Sequence, residues 1–596
     1  MVDLHSLGAI STLLSDLLVE NPCRIPEASL SRDLKTLEQR SRCEGFGFIC
    51  RTLPSLGKAL ESALETGQLS VPTGFRSSKR SPGLPAFMQD AFAHVFEADG
   101  VLRSDDHDRI SLAVGFIRQV TLFAYKLELP YDPTTISKFS DTYLDEDEMV
   151  AEGLGELKSS DQLLQVAAYE VRRLLGDGPA EFSLPQHGPG AVADGSRNER
   201  KYEFSYLSPV TRAVFGDRWF YVNDRHRQDQ PHGWRLKHVS AKVLFVNKDS
   251  RGPRVIAKEP KENQWLQQML RKTMCPVIER RSDRRINFVD QRINGLLALS
   301  SSKDRRFATM DMKSASDLVG WSHAEALLPP RWLFLLSGCR TATAALPDGR
   351  KRFLKKFSSM GSATTFPLEA LVFWSLAVAA ISLVLPGRRR WIRRHVYAYG
   401  DDIIVPREYM GVVADALHRY GLKVNLSKSF ANGHFRESCG VDAYYGVNVS
   451  PVRVRHLLPM SRRDASRLAS VVALGRLLSA KGYARAAERC FGYAEAVLGC
   501  SLPFGSDDAG YLCRPAKCPT SALLLSKKHG SRVRFHPQYH RWEVLCSAPK
   551  VPERAIQLDG WARLLRNLTQ GTGDRPDVTT PYRGAVILRT KWRPAQ

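Results

Sequence analysis

The sequence Val396-Tyr397-Ala398-Tyr399-Gly400-Asp401-Asp402-Ile403-Ile404-Val405 runs apolar and β-branched residues up to a Gly-Asp-Asp tip and away again. The pattern predicts a tight β-hairpin with two adjacent carboxylates at its turn. Neighbouring carboxylates repel unless a dication or a proton neutralises them, so the tip points to a metal. A third carboxylate, Asp311, follows the strand-like Phe307-Ala308-Thr309-Met310, with Asp317 beyond it. Two strands ending side by side would bring Asp311 against Asp401 and Asp402. Hard oxygen ligands on rigid strands suit Mg²⁺, with Mn²⁺ as its substitute. Two Mg²⁺ ions about 3.5–4 Å apart are the recurrent device for in-line nucleotidyl transfer. An Asp-Asp pair in a turn is by itself ordinary turn chemistry; Asp311 and Asp317 raise it to a candidate catalytic centre.

The centre needs cations for a phosphate substrate, and Lys242 to Pro260 supplies them. Strand-like Val243-Leu244-Phe245-Val246 leads into Lys248, Arg251, Arg254 and Lys258 around a Gly-Pro turn. A nucleoside triphosphate carries about four negative charges, which Arg and Lys clamps both hold and stabilise during transfer. Read alone, such a run is a solvated charged loop. From Arg306 the predicted order is strand, helical insert, Asp348-Gly349 hairpin, long helix, carboxylate hairpin, helix from Glu408 to Tyr420 closed by Gly421, and strand Leu422 to Asn425. Without the insert and the Asp-Gly hairpin this is βαββαβ, in which the first strand can lie beside the central hairpin. Asp317 is placed to meet a ribose 2′-hydroxyl, the group that separates RNA from DNA building blocks. An Asp at a helix start is also stabilised by the helix dipole.

Four runs in this order, Asp311…Ser314-Ala315-Ser316-Asp317, Ser358-Ser359-Met360-Gly361…Thr365-Phe366, Tyr399-Gly400-Asp401-Asp402 and Phe435-Arg436-Glu437-Ser438-Cys439-Gly440, carry a resemblance. The chain resembles the RNA-directed RNA polymerase of small RNA bacteriophages, the levivirus replicase, over residues 240 to 456 and more weakly outside them. Tyr-Gly-Asp-Asp alone indicates a polymerase; the Phe-Arg-Glu-Ser-Cys-Gly run narrows the family. The resemblance implies an α+β right-hand polymerase of fingers, palm and thumb. Residues 1–180 would form an N-terminal helical region and part of the fingers, 181–300 the fingers with the basic loop, 301–456 the palm, and 457–596 the thumb and a C-terminal extension.

By the same resemblance Lys248, Arg251 and Arg254, with Lys258, match the triphosphate-binding finger loop; by resemblance to polymerases generally Lys428 is a candidate to protonate departing pyrophosphate, with a plain surface lysine as the alternative. Arg453, Arg455 and His456 would meet phosphates. The family's Met-Gly-Asn-Gly, whose Asn assists ribose selection, here reads Met360-Gly361-Ser362-Ala363. Ser362 is shorter, and Pro367 stands where the family has Glu. Also implied are an RNA template and product, replication of a positive-strand genome without a primer in a host bacterial cytoplasm, and a complex with host elongation factors Tu and Ts and a ribosomal RNA-binding protein.

Composition agrees with such a partner. The chain has 596 residues, 43% hydrophobic and 25% charged, with a net charge of +24, which fits a folded multi-subdomain protein attracted to polyanions rather than a disordered chain. Eleven cysteines without a framework suggest reduced thiols. Cys500, Cys513, Cys518, His529 and His536 lack the spacing of a zinc ribbon or finger. Met1-Val2-Asp3-Leu4-His5 lacks the features of a signal peptide. The uncharged run from Ala370 to Pro386, followed by Arg388-Arg389-Arg390-Trp391-Ile392-Arg393-Arg394, has the pattern of a membrane span with flanking positives. It lies between motifs that must converge, so a buried helix under the site is expected, and no membrane partner.

Residues 1–180 show helical periodicity in Leu7–Leu18, Leu53–Leu64 and Ile110–Leu127, and Asp145-Glu146-Asp147-Glu148 reads as a solvated loop or helix start. Basic helical faces across 457–500 suit a grip on duplex RNA. Two rival functions remain in view. A reverse transcriptase would share the carboxylates, but Asp317 stands where a DNA-making enzyme prefers a bulky gate. A non-enzymatic basic RNA-binding protein would account for the charge and predicts no Mg²⁺-dependent nucleotide incorporation.

Overall fold

Phe307–Met310 forms a strand buried along its whole length. It pairs antiparallel with Asp402–Pro406 in the register Met310 with Ile403 through Phe307 with Pro406. Asp402–Pro406 pairs in turn with Tyr397–Tyr399, so the sheet order is first strand, outgoing hairpin strand, incoming hairpin strand. Both faces of these strands are covered, which is why they read as continuous apolar runs. On one face Phe307, Tyr397 and Ile404 pack with Ile293 and Leu297 of the helix Arg292–Asp304. On the other, Ala308, Met310, Ala398, Ile403 and Val405 join the core that contains the helix Thr365–Val384.

This computed structural model describes residues 4–229, 235–555, 560–570, 579–581 and 586–595; the first three residues of the N-terminal stretch discussed above lie outside them. Helix makes up 49% and strand 16%, an α+β composition. Thr365–Val384 is long and apolar enough to cross a membrane, yet 89% of its most apolar window is buried inside the protein. It is the central support beneath the hairpin. The strand expected at 422–425 is the short Lys423–Val424, which pairs with Met312–Lys313, the continuation of the first strand past Asp311. Asp311 therefore sits at a break between two ladders.

The basic stretch forms a hairpin, Ala241–Asp249 against Gly252–Lys258, with an irregularity between Val246 and Asp249. Thr343–Ala345 adds parallel to Ala241, and Lys351–Phe353 completes a four-stranded sheet through the Asp348-Gly349 turn. One expectation is corrected. Asp145-Glu146-Asp147-Glu148 is neither a loop nor a helix start but the last turn of the helix Pro133–Glu148. Carboxylates there oppose the helix dipole. Local partners offset it: Asp147 is buried and accepts backbone N–H bonds from Lys355 at 3.1 Å and Lys356 at 2.9 Å, while Glu148 pairs with the Lys355 ammonium at 2.9 Å.

Candidate active site

Asp401 and Asp402 occupy the hairpin tip because Gly400 permits it. Its φ is +60°, and an added Cβ would fall 2.2 Å from the Phe366 ring and 3.1 Å from Glu369 Oε1. Only glycine combines that conformation with so close an approach. Asp402 is then fixed from behind. Its Oδ1 accepts from the Ser438 hydroxyl at 3.2 Å, and its Oδ2 from the Cys439 backbone N–H at 3.3 Å and thiol at 3.4 Å. Asn294 Nδ2 donates to the Asp402 carbonyl at 3.3 Å. Arg436 is fully buried and donates to the carbonyls of Phe307, at 2.7 Å, and Ala431, at 2.8 Å. The Phe-Arg-Glu-Ser-Cys-Gly run thus ties the first strand and the hairpin tip into one unit.

Asp311 faces the pair from the neighbouring strand. Asn425 Nδ2 donates to its Oδ2 at 2.7 Å, and the Lys428 ammonium lies 3.4 Å from the same oxygen. The three carboxylates repel one another. Burial, then the charge of Asp311, raises the Asp401 pKa. Burial, then Asp401, pushes Asp402 up to about 6. Burial alone would lower the Lys428 pKa, but the Asp311 and Glu437 carboxylates reverse this and hold it above its ordinary value.

That surplus of negative charge is the chemistry expected of a divalent-cation donor set. Among the described residues no group of three or more His, Cys, Asp or Glu side chains is arranged so that it could hold a metal ion. Mg²⁺ keeps several waters and takes few protein ligands, and the carboxylates of Asp311, Asp401 and Asp402 are donors of the type it takes.

The basic hairpin presents its charge to this tip, since Arg254 and Lys428 both offset the raised pKa of Asp401. Burial pushes the Lys248 pKa down, helped by Arg254, Arg251 and Lys428. These cations crowd one another, as an anion site does before its anion arrives. Arg251 is differently engaged. It grips Asp249, with Nε 3.0 Å from Oδ1 and Nη2 2.5 Å from Oδ2, and lies 4.2 Å over the Tyr125 ring, so it braces the hairpin turn. Lys258 lies opposite Lys242 in the ladder, farther along the same strand than Arg254.

Asp317, on the short helix Ala315–Leu318, takes the Lys356 ammonium at 2.9 Å. Lys356 is completely buried, lies 3.8 Å over the Tyr143 ring and also donates to the Tyr143 carbonyl at 3.3 Å. Ser362 is buried beside Thr364, with 3.1 Å between the hydroxyls, so its hydroxyl contact is to Thr364 rather than Asp317. Gly361 beside it has φ +129°, and a Cβ there would lie 2.0 Å from the Ala257 carbonyl oxygen. The loop is stitched to the basic hairpin by the Ala257 N–H to Met360 carbonyl bond of 2.8 Å.

Known proteins resemble this chain in its central region. Residues 220–465 match the family model described as RNA replicase, beta-chain. Every candidate site residue named above from Lys248 to Lys428 lies in that span. The RNA-directed RNA polymerase subunit beta of Qbeta virus (strain MX1) is 37% identical over 215 residues, covering 36% of this chain and 35% of that protein. The corresponding subunit of Escherichia virus Qbeta is 31% identical over 298 residues, 49% of each chain. The RNA-directed RNA polymerase beta chain of Escherichia phage MS2 is 36% identical over 231 residues, 38% of this chain and 40% of that one. The matched stretches thus span from about a third to half of these relatives' lengths. A solved RNA-dependent RNA polymerase of a human picobirnavirus superposes with TM-score 0.40 at 10% identity over 61% of this chain and 74% of that one, too slight a likeness to bear on the fold.

Sequence reasoning missed three groups. Lys356 was unremarkable in a basic stretch, and only the fold brings it under Asp317. Glu369, at the start of the long helix, is buried between Asp401 and Asp317. Burial and those two charges hold its carboxyl well above the usual range. The spacing Pro367-Leu368-Glu369 held the available signal, a carboxylate on the helix face that meets the hairpin. Glu146 accepts from the Ser314 hydroxyl next to Asp311, and nothing in its acidic run distinguishes it.

Proposed function

We propose that this chain is an RNA-directed RNA polymerase that extends an RNA strand from nucleoside triphosphates on an RNA template, built as fingers, palm and thumb. The observation that carries the proposal is the meeting of Asp311 with Asp401 and Asp402 beneath the cationic hairpin of Lys248 and Arg254. Asp311, Asp401 and Asp402 would hold Mg²⁺. When bound, two such ions activate the attacking 3′-hydroxyl and steady the pyrophosphate leaving group. Arg254, Lys248 and Lys258 neutralise the triphosphate, with Arg251 holding the turn on which they stand. Asp317, kept oriented by Lys356, accepts the ribose 2′-hydroxyl, and Ser362 shapes the loop beside it. Lys428, charged and beside Asp311, delivers a proton to the departing pyrophosphate.

By the same reading residues 301–456 are the palm, 181–300 carry the fingers loop, 1–180 complete the fingers side, and 457–596 form the thumb and an extension. The setting is a host bacterial cytoplasm, with elongation factors Tu and Ts and a ribosomal RNA-binding protein as partners, to be sought by affinity capture from infected cells.

The test is Mg²⁺-dependent incorporation by the purified chain on an RNA template, with ribo- and deoxyribonucleotides offered in parallel. Ribonucleotide incorporation that vanishes in Asp401→Asn, with RNA binding retained, supports the proposal. Synthesis by the pure variant would refute the assignment. Deoxyribonucleotide preference would make it a reverse transcriptase, and no incorporation under any condition a non-enzymatic RNA-binding protein.

A further inference from the structure

A cavity of about 600 Å³ opens at the far end of the strand pair that carries the carboxylates. Its walls include Arg305, Arg306, Phe307, Trp391, His395 and Arg407, with Glu408 at its edge. Phe307 and Pro406 are register partners at one end of the ladder, whereas Met310 and Ile403 adjoin Asp311 and Asp402 at the other. At 3.3 Å per residue the two ends are separated by roughly 10 Å along the strand. The cavity is therefore distinct from the candidate active site.

Its chemistry is that of a nucleic-acid site. Trp391 and His395 stack with centroids 4.3 Å apart at 21°, and Phe307 continues the series 6.1 Å from His395 at 20°. The stack is locked: His395 Nδ1 lies 2.7 Å from the Trp391 carbonyl and Nε2 2.9 Å from Arg306 Nη2. With Nδ1–H as donor, Nε2 accepts from the guanidinium, and the ring is neutral. Around this aromatic floor stand Arg305 and Arg407, neither of which has a side-chain ion pair or hydrogen bond among the described residues. The Arg407 N–H to Arg306 carbonyl bond of 3.1 Å holds the two sides together. Their charges help lower the pKa of buried Arg436, for which burial is the larger cause, to about 10. Two arginines without side-chain ion pairs, outnumbering the Glu408 carboxylate in the lining and set beside stacked rings, suit a phosphate and its adjacent base.

We propose that this cavity binds single-stranded RNA outside the catalytic channel, one base stacking on the Trp391 platform while Arg305 and Arg407 take the flanking phosphates. The choice of RNA as the polyanion rests on the polymerase reading. Of the sequence run Arg388 to Arg394, which resembled the flank of a membrane span, Trp391 faces this cavity, while Arg393 pairs with Glu170.

The test is photo-cross-linking of the full chain to a 4-thiouridine oligoribonucleotide of about 12 nucleotides, with salt titration of its affinity and, separately, incorporation on a short primer–template duplex. The expected result is a cross-link in the peptide containing Trp391. It is lost in Arg305→Gln/Arg407→Gln, whose slope of log affinity against log salt falls by about 1.4, near 0.7 for each phosphate contact. Arg305→Lys/Arg407→Lys restores the slope, and Trp391→Ala weakens binding about tenfold while Trp391→Phe does not. Incorporation on the short duplex is unchanged in all four variants. Cross-links confined to other peptides with an unchanged slope overturn the proposal, as does protection by free ATP as efficient as by RNA. If the wild-type chain incorporates nothing on the duplex, the polymerase reading fails, while the cross-link still reports on this site.

Discussion

At the scale of single residues, Asp402 shows how the site is held ready at a cost in stability. Its carboxylate is surrounded by donors from Ser438 and Cys439, yet burial and Asp401 lift its pKa to about 6. A carboxyl whose folded pKa exceeds its unfolded value of 3.8 binds more protons folded than unfolded between those values. Folding stability therefore falls as pH rises from about 4 to about 6 and stays lowered above that window. Asp402→Asn is expected to raise the metal-free protein's stability at pH 8 by the order of 1–3 kcal/mol, with little gain at pH 4, while ending nucleotide incorporation. Urea melts at the two pH values, run in chelator, check this; equal gains at both would exclude the titration. Lys356 gives the opposite sign. Its ammonium is wholly buried against Asp317, so Lys356→Met leaves a carboxylate unpaired beside Glu369 and is expected to cost roughly 3–5 kcal/mol. In an active preparation it should also narrow the preference for ribo- over deoxyribonucleotides, read from paired incorporation rates. The aspartates were legible in the sequence because adjacent carboxylates at a turn are conspicuous. Lys356 and Glu369 were not, because their roles are created by what the fold places opposite them.

At the scale of elements, the hairpin, the first strand, the basic ribbon and the buried helix could be read from apolar patterning, since each is a local run with a clear period. What could not be read was set by contacts between runs. The acidic segment Asp145-Glu146-Asp147-Glu148 ends a helix because the backbone of Lys355 and Lys356 comes to meet it. The strand Lys423–Val424 pairs over two residues with Met312–Lys313, on the far side of the Asp311 break. The hairpin and the long helix meet at Gly400, where φ is +60° and the Phe366 ring fills the space a Cβ would need. Gly400→Ala adds backbone strain and a clash to the element that aims both carboxylates. It is expected to lose about 1–3 kcal/mol of stability and on the order of 10²-fold in incorporation, the larger effect falling on activity because small misplacements at the reacting centre are costly. Thermal melts and steady-state incorporation separate the two. A stability loss without an activity loss would mean that the tip does not depend on this turn.

At the scale of the whole molecule, two large cores divide the chain in a way its order does not suggest. One gathers residues from Leu154 to Ala431, with Leu565, around Thr365–Val384. The other joins the N-terminal helices, from Ile10 to Leu127, to residues between Phe430 and Leu512. Charge seals that second union. Arg118 is fully buried and binds both Glu61, from the N-terminal half, and Asp442, from the strand Val441–Tyr444 behind the Phe-Arg-Glu-Ser-Cys-Gly run. Glu65 also accepts the backbone N–H groups of Ala431 at 2.9 Å, Asn432 at 2.7 Å and Gly433 at 3.1 Å. Such pairings between the first and last thirds of a chain leave no local period in a sequence. Their consequence is mechanical: the element that holds Asp402 is anchored in a core that the N-terminal helices complete. Arg118→Met removes the buried cation shared by two buried carboxylates, leaving Glu61 to Lys58 and Asp442 to Arg453 alone, and is expected to cost roughly 3–5 kcal/mol. Because the lost contact joins both segments, hydrogen exchange should show the helix Leu53–Thr66 and the strands from Phe435 to Tyr444 losing amide protection together, while Thr365–Val384 keeps its own. Loss confined to the N-terminal helix would mean that the strands from Phe435 to Tyr444 stand without it.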